Sequence, residues 1–226
     1  MARFTIGGIE LEVPDALLTN RIAEKLQTGA YEADERRAAL MRLRPGQTVL
    51  DLGAGLGFIA ASCAAITGAE NVTAVEANPD LIKVIERNLT LNGYGGATLI
   101  HGAVSGTDTS DKTTSFDVAK AFWGGRIVEE GSNAASVRQV PHVPLHALLE
   151  QVRPEQVVID VEGAEAHFFD TRWPEYVRRV VLELHPKRYP DATIKKIVDC
   201  LSASGLTYDP GPSVGRILCF RRVRNT

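Results

Sequence analysis

Ten residues, Val49-Leu50-Asp51-Leu52-Gly53-Ala54-Gly55-Leu56-Gly57-Phe58, carry the clearest chemical signal in the chain. An apolar run ends in an acid, glycines follow at every second position, and a helix-compatible stretch, 58–67, comes next. Such a strand, glycine loop and helix start let backbone N–H groups come close to a ligand. The dinucleotide fingerprint needs a small residue where Phe58 stands, and the phosphate-binding P-loop needs Lys-Ser or Lys-Thr after its glycines. Neither condition is met. Asp51, at the carboxyl end of a buried strand, would repel a pyrophosphate and attract a cation. S-adenosylmethionine carries a sulfonium and an ammonium and suits such a loop, so Asp51, Gly53, Ala54, Gly55 and Gly57 are expected to hold it.

Other strand ends also carry ionisable groups. Glu76 ends the next strand and is placed to accept both ribose hydroxyl hydrogens of an adenosine. An acid that merely favours the dipole of the following helix is the plainer alternative. Ala77 and Asn78 lie on the same loop and are expected beside the adenine, with His101 and Ala103 beyond the third strand at its edge. Tyr31, Glu32 and Glu35 fall on a preceding helix that could cover the cofactor, with Tyr31 reaching its carboxylate. Later in the chain, Asp160 and Glu162 share one side of an extended strand end, as do Glu183 and His185. Glu165 lies three residues after Glu162, and Pro186 fixes a turn.

His185 is the leading general base for a transfer reaction, because imidazole titrates near neutrality. Asp160 is its rival or its orienting partner, and Glu162 completes the expected catalytic group. Asp160, Glu162 and His185 would also make an oxygen-nitrogen ligand set. They come from separate strand ends, and no metal is expected.

The elements that must position these residues follow an alternating pattern. Phe4 to Val13 reads as a hairpin about Gly7-Gly8. Helical patterns over 15–27 and 32–43 are separated by Gly29. Strands are predicted at 47–52, 71–76, 97–101, 156–161 and 177–184. Helices are predicted at 57–67, 79–91, 144–152, 163–171 and 193–204. The segments 206–210 and 216–223 read as a final strand pair, with an antiparallel last strand to suit their short connection. Residues 102–143 read as mostly irregular, with a few short strand candidates. Alternating strands and helices predict an α/β, Rossmann-like, doubly wound sheet that is mostly parallel, with its ligand crevice at the carboxyl ends of the strands. A hairpin and helical extension over 1–45 precedes a domain over 46–226.

The bulk numbers exclude little but point one way. The 226 residues suit one α/β domain with a short extension, and the net charge of −3 gives no reason to expect a polyanionic partner. The basic C-terminal residues Arg216, Arg221, Arg222 and Arg224 read as a solvated strand edge and frayed tail. Cys63, Cys200 and Cys219 are far apart and form no CxxC pair, which favours buried thiols in a reducing cytoplasm. No apolar run approaches a membrane span, and the N-terminus lacks a signal-peptide core.

In their order along the chain, the blocks VLDLGAGLG (49–57), VEANP (75–79), NLTLNG (88–93), HGAV (101–104), VPLHALL (143–149), IDVEGAE (159–165) and LELHP (182–186) resemble the FkbM family of S-adenosylmethionine-dependent methyltransferases. The likeness covers about 47 to 186, and its last two blocks are the specific ones. It implies a seven-stranded sheet with an antiparallel last strand. It also implies O-methylation of a hydroxyl on a sugar or small natural product, with Asp160 and Glu162 facing the methyl group. The partners expected are a small-molecule acceptor, no nucleic acid and no membrane, with a homodimer left open. VEANP departs from the aromatic residue and Glu-Pro common there, which alters the adenine wall. Two other activities keep to the same cofactor: N-methylation of a small molecule or protein, and a non-catalytic S-adenosylmethionine-binding module. A dehydrogenase is disfavoured by Phe58 and Asp51. Trp123, Phe122, Trp173 and Tyr176 are candidates for a substrate pocket, although such residues more often serve the core.

Overall fold

The computed structural model describes residues 1–106, 111–118, 125–128 and 136–223. The chain opens with a hairpin of β1 (Ala2–Ile6) and β2 (Ile9–Val13), turned by Gly7 and Gly8, both at positive φ. Helices α1 (Asn20–Thr28) and α2 (Ala33–Met41) follow. Thr19 caps α1 by accepting the Ile22 N–H, and Gly29 ends it in the left-handed conformation, as the sequence predicts for that position.

A seven-stranded sheet forms the centre. In chain order its members are β3 (Val49–Leu52), β4 (Val72–Glu76) and β5 (Thr98–His101), then β10 (Gln156–Ile159), β11 (Arg179–Glu183), β12 (Leu206–Tyr208) and β13 (Ile217–Arg222). Their spatial order is β12-β13-β11-β10-β3-β4-β5. β10 runs parallel to both β3 and β11, and β3, β4 and β5 are parallel neighbours. β13 lies antiparallel between β11 and β12. The expected doubly wound sheet with an antiparallel last strand is therefore present. The chain winds outward from β3 to β5, then returns to β10 beside β3. That reversal makes a crevice at the carboxyl ends of β3 and β10.

Helices α3 (Phe58–Thr67) and α4 (Ile82–Leu91) pack on one face with α1, α2 and the hairpin. Helices α5 (Leu145–Val152) and α6 (Asp191–Ala203) pack on the other. The period-two alternation of strands assigns side chains to these faces. Val49, Ala74, Val158 and Val181 point into the first layer, and Leu50, Val75, Val157 and Val180 into the second. A buried asparagine, Asn88, welds the hairpin to the rest. Asn88 accepts the Glu12 N–H at 2.8 Å and donates to the Leu56 carbonyl at 2.9 Å, so it joins β2 to the glycine loop.

Several predicted elements differ. The region read as mostly irregular holds a second sheet of β6 (Ala103–Ser105), β7 (Thr113–Asp117), β8 (Arg126–Ile127) and β9 (Val137–Pro144), ordered β6-β9-β7-β8. Its strands bury a small cluster, Ala103, Phe116 and Val140, and send Val104 into the second core layer, too few positions for a strong apolar alternation. The helix predicted over 163–171 is a single 3-10 turn, Ala164–His167. Glu165 explains the loss: its side chain is fully buried and turned back to the Gly163 N–H and to His185, while Phe168 and Phe169 enter the core. The basic C-terminal strand is no solvated edge. β13 is interior to the sheet, Arg222 donates to the carbonyls of Pro174 and Val177, and Arg216 pairs with Glu183. Arg224, Phe122 and Trp123 lie outside the described residues. Among the described residues no helix is long and apolar enough to cross a membrane.

Candidate functional site

The glycine loop leaves β3 at the crevice. Gly53 has φ +88°, and a Cβ there would stand 1.8 Å from the Asp160 carbonyl oxygen, so the loop after β3 and the loop after β10 touch backbone to backbone. At Gly55, φ +55°, a Cβ would meet the Tyr31 hydroxyl at 3.2 Å and a Glu32 carboxylate oxygen at 3.4 Å. These two glycines line a cavity. Gly57 does different work: it precedes α3, and its missing side chain admits Ile85 of α4. Ala54 is buried in the first core layer.

Glu76 ends β4 on the cavity wall and is itself nearly buried. Its two carboxylate oxygens accept the N–H groups of Gly55 at 2.9 Å and Asn78 at 2.7 Å. Burial raises its pKa, and these amide donors oppose the rise. Ala77, Ala103, Gly102 and Val104 complete that side, and Phe116, Gly125 and Ile127 of the small sheet close it. Asn78 is placed otherwise than expected: its side chain is buried and accepts the Asp80 N–H at 3.0 Å, which caps the turn before α4. His101 stands beside Glu76 in the sheet register and does not line the cavity. Asp51 sits beneath the loop, 1% exposed, facing the first helical layer. Burial and then the charge of Glu76 push its carboxyl up to about 7.

The second half of the site forms on the same face, because Asp160 continues the alternation of Val158, and Glu183 and His185 that of Val181. His185 is buried. Its Nδ1 lies 2.8 Å from Glu165 Oε1, which also accepts the Tyr189 hydroxyl at 2.8 Å. That same hydroxyl accepts the His185 N–H. The imidazole is thereby held so that Nε2 faces Asp160 Oδ1 at 3.4 Å and Glu162 Oε2 at 3.7 Å. Glu162 reaches this place from a left-handed turn, φ +52°, and not from an extended strand end, since β10 stops at Ile159.

Asp160 Oδ1 is buried without a hydrogen-bond partner. Burial and then the Glu183 charge push the Asp160 carboxyl up to about 8. Desolvation opposes protonation of His185, but the carboxylates of Glu165, Asp160 and Glu162 more than offset it and raise its pKa. A larger cavity of about 500 Å³ opens beside the cluster, lined by Glu32, Asp34, Glu35, Asp160, Glu162 and Glu183. Tyr31, Glu32, Asp160 and Glu162 line both cavities, so the two adjoin across a common wall, and His185 lines neither.

Sequence reasoning brought forward Asp160, Glu162 and His185, and the fold does gather them. It missed the part played by Tyr189, four residues after His185, and the wall supplied by Phe116 and Ile127. The Tyr189 role had no local signal, since it acts through Glu165, 24 positions away. Trp173 and Tyr176 do not line either cavity. Trp173 stacks on Phe169 with ring centroids 5.3 Å apart, and Tyr176 carries the Arg153 guanidinium on its face.

Comparisons with known proteins agree with this frame. Residues 24–114 match the sequence model of the TRM5/TYW2 methyltransferase domain. A tRNA wybutosine-synthesizing protein 2 homolog of Danio rerio is 29% identical over 93 residues, 41% of this chain and 20% of that protein. Protein-L-isoaspartate O-methyltransferase 1 of Archaeoglobus fulgidus is 41% identical over 64 residues, 28% of this chain and 30% of that protein. The chain thus spans less than a third of the length of these curated relatives. The crystal structure of M. jannaschii TYW2 in complex with AdoMet superimposes with TM-score 0.50 at 15% identity, covering 98% of this chain and 86% of that one. The chain has the class I methyltransferase fold; the FkbM family in particular is not what these matches name. The expectation of a small-molecule hydroxyl acceptor and no nucleic acid is overturned, because the relatives are named for tRNA and for isoaspartate in protein.

Proposed function

We propose that this chain is an S-adenosylmethionine-dependent methyltransferase that methylates an oxygen carried by a protein. The observation that carries the reading is the wall of Tyr31, Glu32, Asp160 and Glu162 that the two cavities share. The cavity of the glycine cradle and of a ribose-type acid, Glu76, is also lined by Asp160 and Glu162, and buried His185 stands against both of these. The residues present fit the cofactor: Gly55 leaves the space a Cβ would fill, Glu76 faces that space, and carboxylates surround a position for a cation. When bound, S-adenosylmethionine supplies an electrophilic methyl group on a sulfonium leaving group.

The chain's own part is to hold and orient. Gly53 and Gly55 would bring backbone to the methionine portion, Glu76 would hold the ribose, and Tyr31 and Glu32 would close over the loop. The acceptor oxygen gives up its proton to the Asp160–Glu162–His185 group, whose members lie close enough to share it. Alignment of acceptor and methyl carbon by these walls supplies much of the rate.

Oxygen as the acceptor atom is supported by the IDVEGAE and LELHP blocks, which resemble O-methyltransferases of the FkbM family. A protein is favoured over RNA because six carboxylates line the open cavity. The cations Arg21, Lys25 and Arg216 also line it, but Arg216 is already paired with Glu183. With so few free cations, the lining offers little to pair with a phosphodiester chain.

Two measurements test this. Calorimetry with S-adenosylmethionine, S-adenosylhomocysteine and NAD should give binding of the first two only. Incubation with methyl-labelled cofactor, and separately with protein extract or total tRNA, should place base-labile label in protein. Label confined to tRNA would overturn the choice of acceptor, and binding of NAD alone would overturn the cofactor.

A further inference from the structure

The cluster at the ends of β10 and β11 brings two carboxyl groups and an imidazole around a buried oxygen that has no hydrogen-bond donor. We infer that Asp160, Glu183 and His185 form a binding site for a divalent transition-metal ion at the acceptor side of the crevice. The inference deepens the methyltransferase reading and rests on it for the role of the ion, though not for its binding.

Three independent observations carry it. First, one ligand atom from each of the three residues can be chosen so that all lie within 4.8 Å of one another. Donor atoms on opposite sides of an ion, each at about 2.0–2.5 Å, are separated by about 4–5 Å, so the spacing suits an ion between them. Second, the ligands are already oriented from behind. Glu165 holds Nδ1 of His185 and leaves Nε2 toward the carboxylates, the arrangement that fixes tautomer and direction in metal-binding histidines. Glu165 is in turn held by the Gly163 N–H and the Tyr189 hydroxyl. Arg216 holds one oxygen of Glu183 at 2.6 Å. Third, Asp160 Oδ1 is buried with no hydrogen-bond partner, and it faces Nε2 of the buried imidazole at 3.4 Å. A buried carboxylate oxygen without a donor costs free energy unless something else satisfies it.

Two carboxylates and an imidazole favour manganese, iron or zinc over calcium or magnesium, which prefer oxygen alone. Three protein ligands leave coordination positions free toward the cavity lined by Glu32 and Glu162. An acceptor hydroxyl or carboxyl oxygen bound there would lose its proton more readily, and Glu162, outside the three ligands, is placed to receive it. The same ion would screen an anionic acceptor from the surrounding acids. His185 then acts as a ligand, and the proton passes to the carboxylate beside it.

The test uses the full chain, stripped with chelator and titrated with manganese chloride. Free manganese is followed by electron paramagnetic resonance, and S-adenosylmethionine affinity is measured on the same samples. One manganese site is expected. Its affinity should fall by at least about ten-fold in Asp160→Asn and in His185→Ala. Glu165→Gln, which touches no ion, should fall by about ten-fold through the loosened imidazole. Asp199→Asn, at an exposed position of α6, should leave it unchanged. Absence of binding up to about 1 mM metal in protein that still binds the cofactor would overturn the metal site while the methyltransferase reading stands. Full affinity in the Asp160→Asn/His185→Ala double variant would likewise overturn it, as an ion held elsewhere. Manganese binding without cofactor binding would do the reverse.

Discussion

The two halves of the crevice treat their buried acids differently. At the end of β4, both oxygens of Glu76 accept backbone N–H groups supplied by the glycine loop and by Asn78. At the end of β10, Asp160 Oδ1 is buried and accepts nothing, and its neighbours are other carboxylates and an imidazole. The first half is completed by its own backbone, because a loop of glycines can turn its amides inward. The second half draws its groups from separate strand ends and supplies few donors. A fold can prepare a cofactor cradle from local chain geometry, whereas an acceptor site awaits a charge that arrives with its ligand.

The strongest way to break this contrast is to spoil the contact between the halves. Gly53→Ala would drive a Cβ into the Asp160 carbonyl at a positive φ. It is expected to abolish cofactor binding by calorimetry and to destabilise the chain by at least about 2 kcal/mol in denaturant titration. His185→Ala acts on the second half alone. Turnover of the labelled methyl group should vanish while cofactor affinity stays within a few-fold; unchanged turnover would remove His185 from the mechanism.

Glu76→Gln acts on the first half alone, with the opposite signature. Exchanging one carboxylate oxygen for an NH2 group sets a donor against the Gly55 or Asn78 N–H and removes a charge-assisted acceptor, so the disturbance falls on the glycine loop. Cofactor affinity should drop by about ten-fold. Equal losses for Glu76→Gln and His185→Ala in the same binding assay would show that the halves do not divide as described.

Asp51 sharpens the comparison by pH. Its carboxyl titrates at about 7 in the folded chain, above the ordinary aspartate range near about 4. The folded state therefore holds this proton more tightly than the unfolded state. Stability falls as pH rises from about 4 to about 7, and the cost is complete above that window. Asp51→Asn removes the cost. The variant should melt a few degrees above the parent at pH 8 without cofactor, with the gap closing by pH 4. A gap that stays constant over this range would mean that Asp51 remains ionised in the fold.

Much of this was legible in the chain itself, for reasons that can be stated residue by residue. The strand ending in Asp51, the glycines after it and Glu76 at the next strand end lie within one βαβ unit. Local periodicity and turn chemistry are enough to read them. The small sheet of β6 to β9 was not legible, because its short strands bury few side chains, chiefly Ala103, Val104, Phe116 and Val140, and leave little apolar alternation. The turn at Ala164–His167 was misread as a helix because its acids sit where helix-start acids usually sit. Nothing local shows that Glu165 is bound to a histidine 20 positions later. Asn78 looked like an adenine contact and proved to be a turn cap for the same reason: its partner is an N–H two residues on.

By itself the sequence determined the alternation of strands and helices, the glycine cradle and the acids at the strand ends, all consequences of spacing along a few neighbouring residues. The tertiary structure alone decided that Asp160, Glu183 and His185 converge, that Glu165 and Tyr189 hold the imidazole, and that Gly53 must yield to the Asp160 backbone. Those contacts depend on which strand lies beside which. The order β11-β10-β3-β4 is set by how the helical layers close over the sheet, and no single segment carries that information.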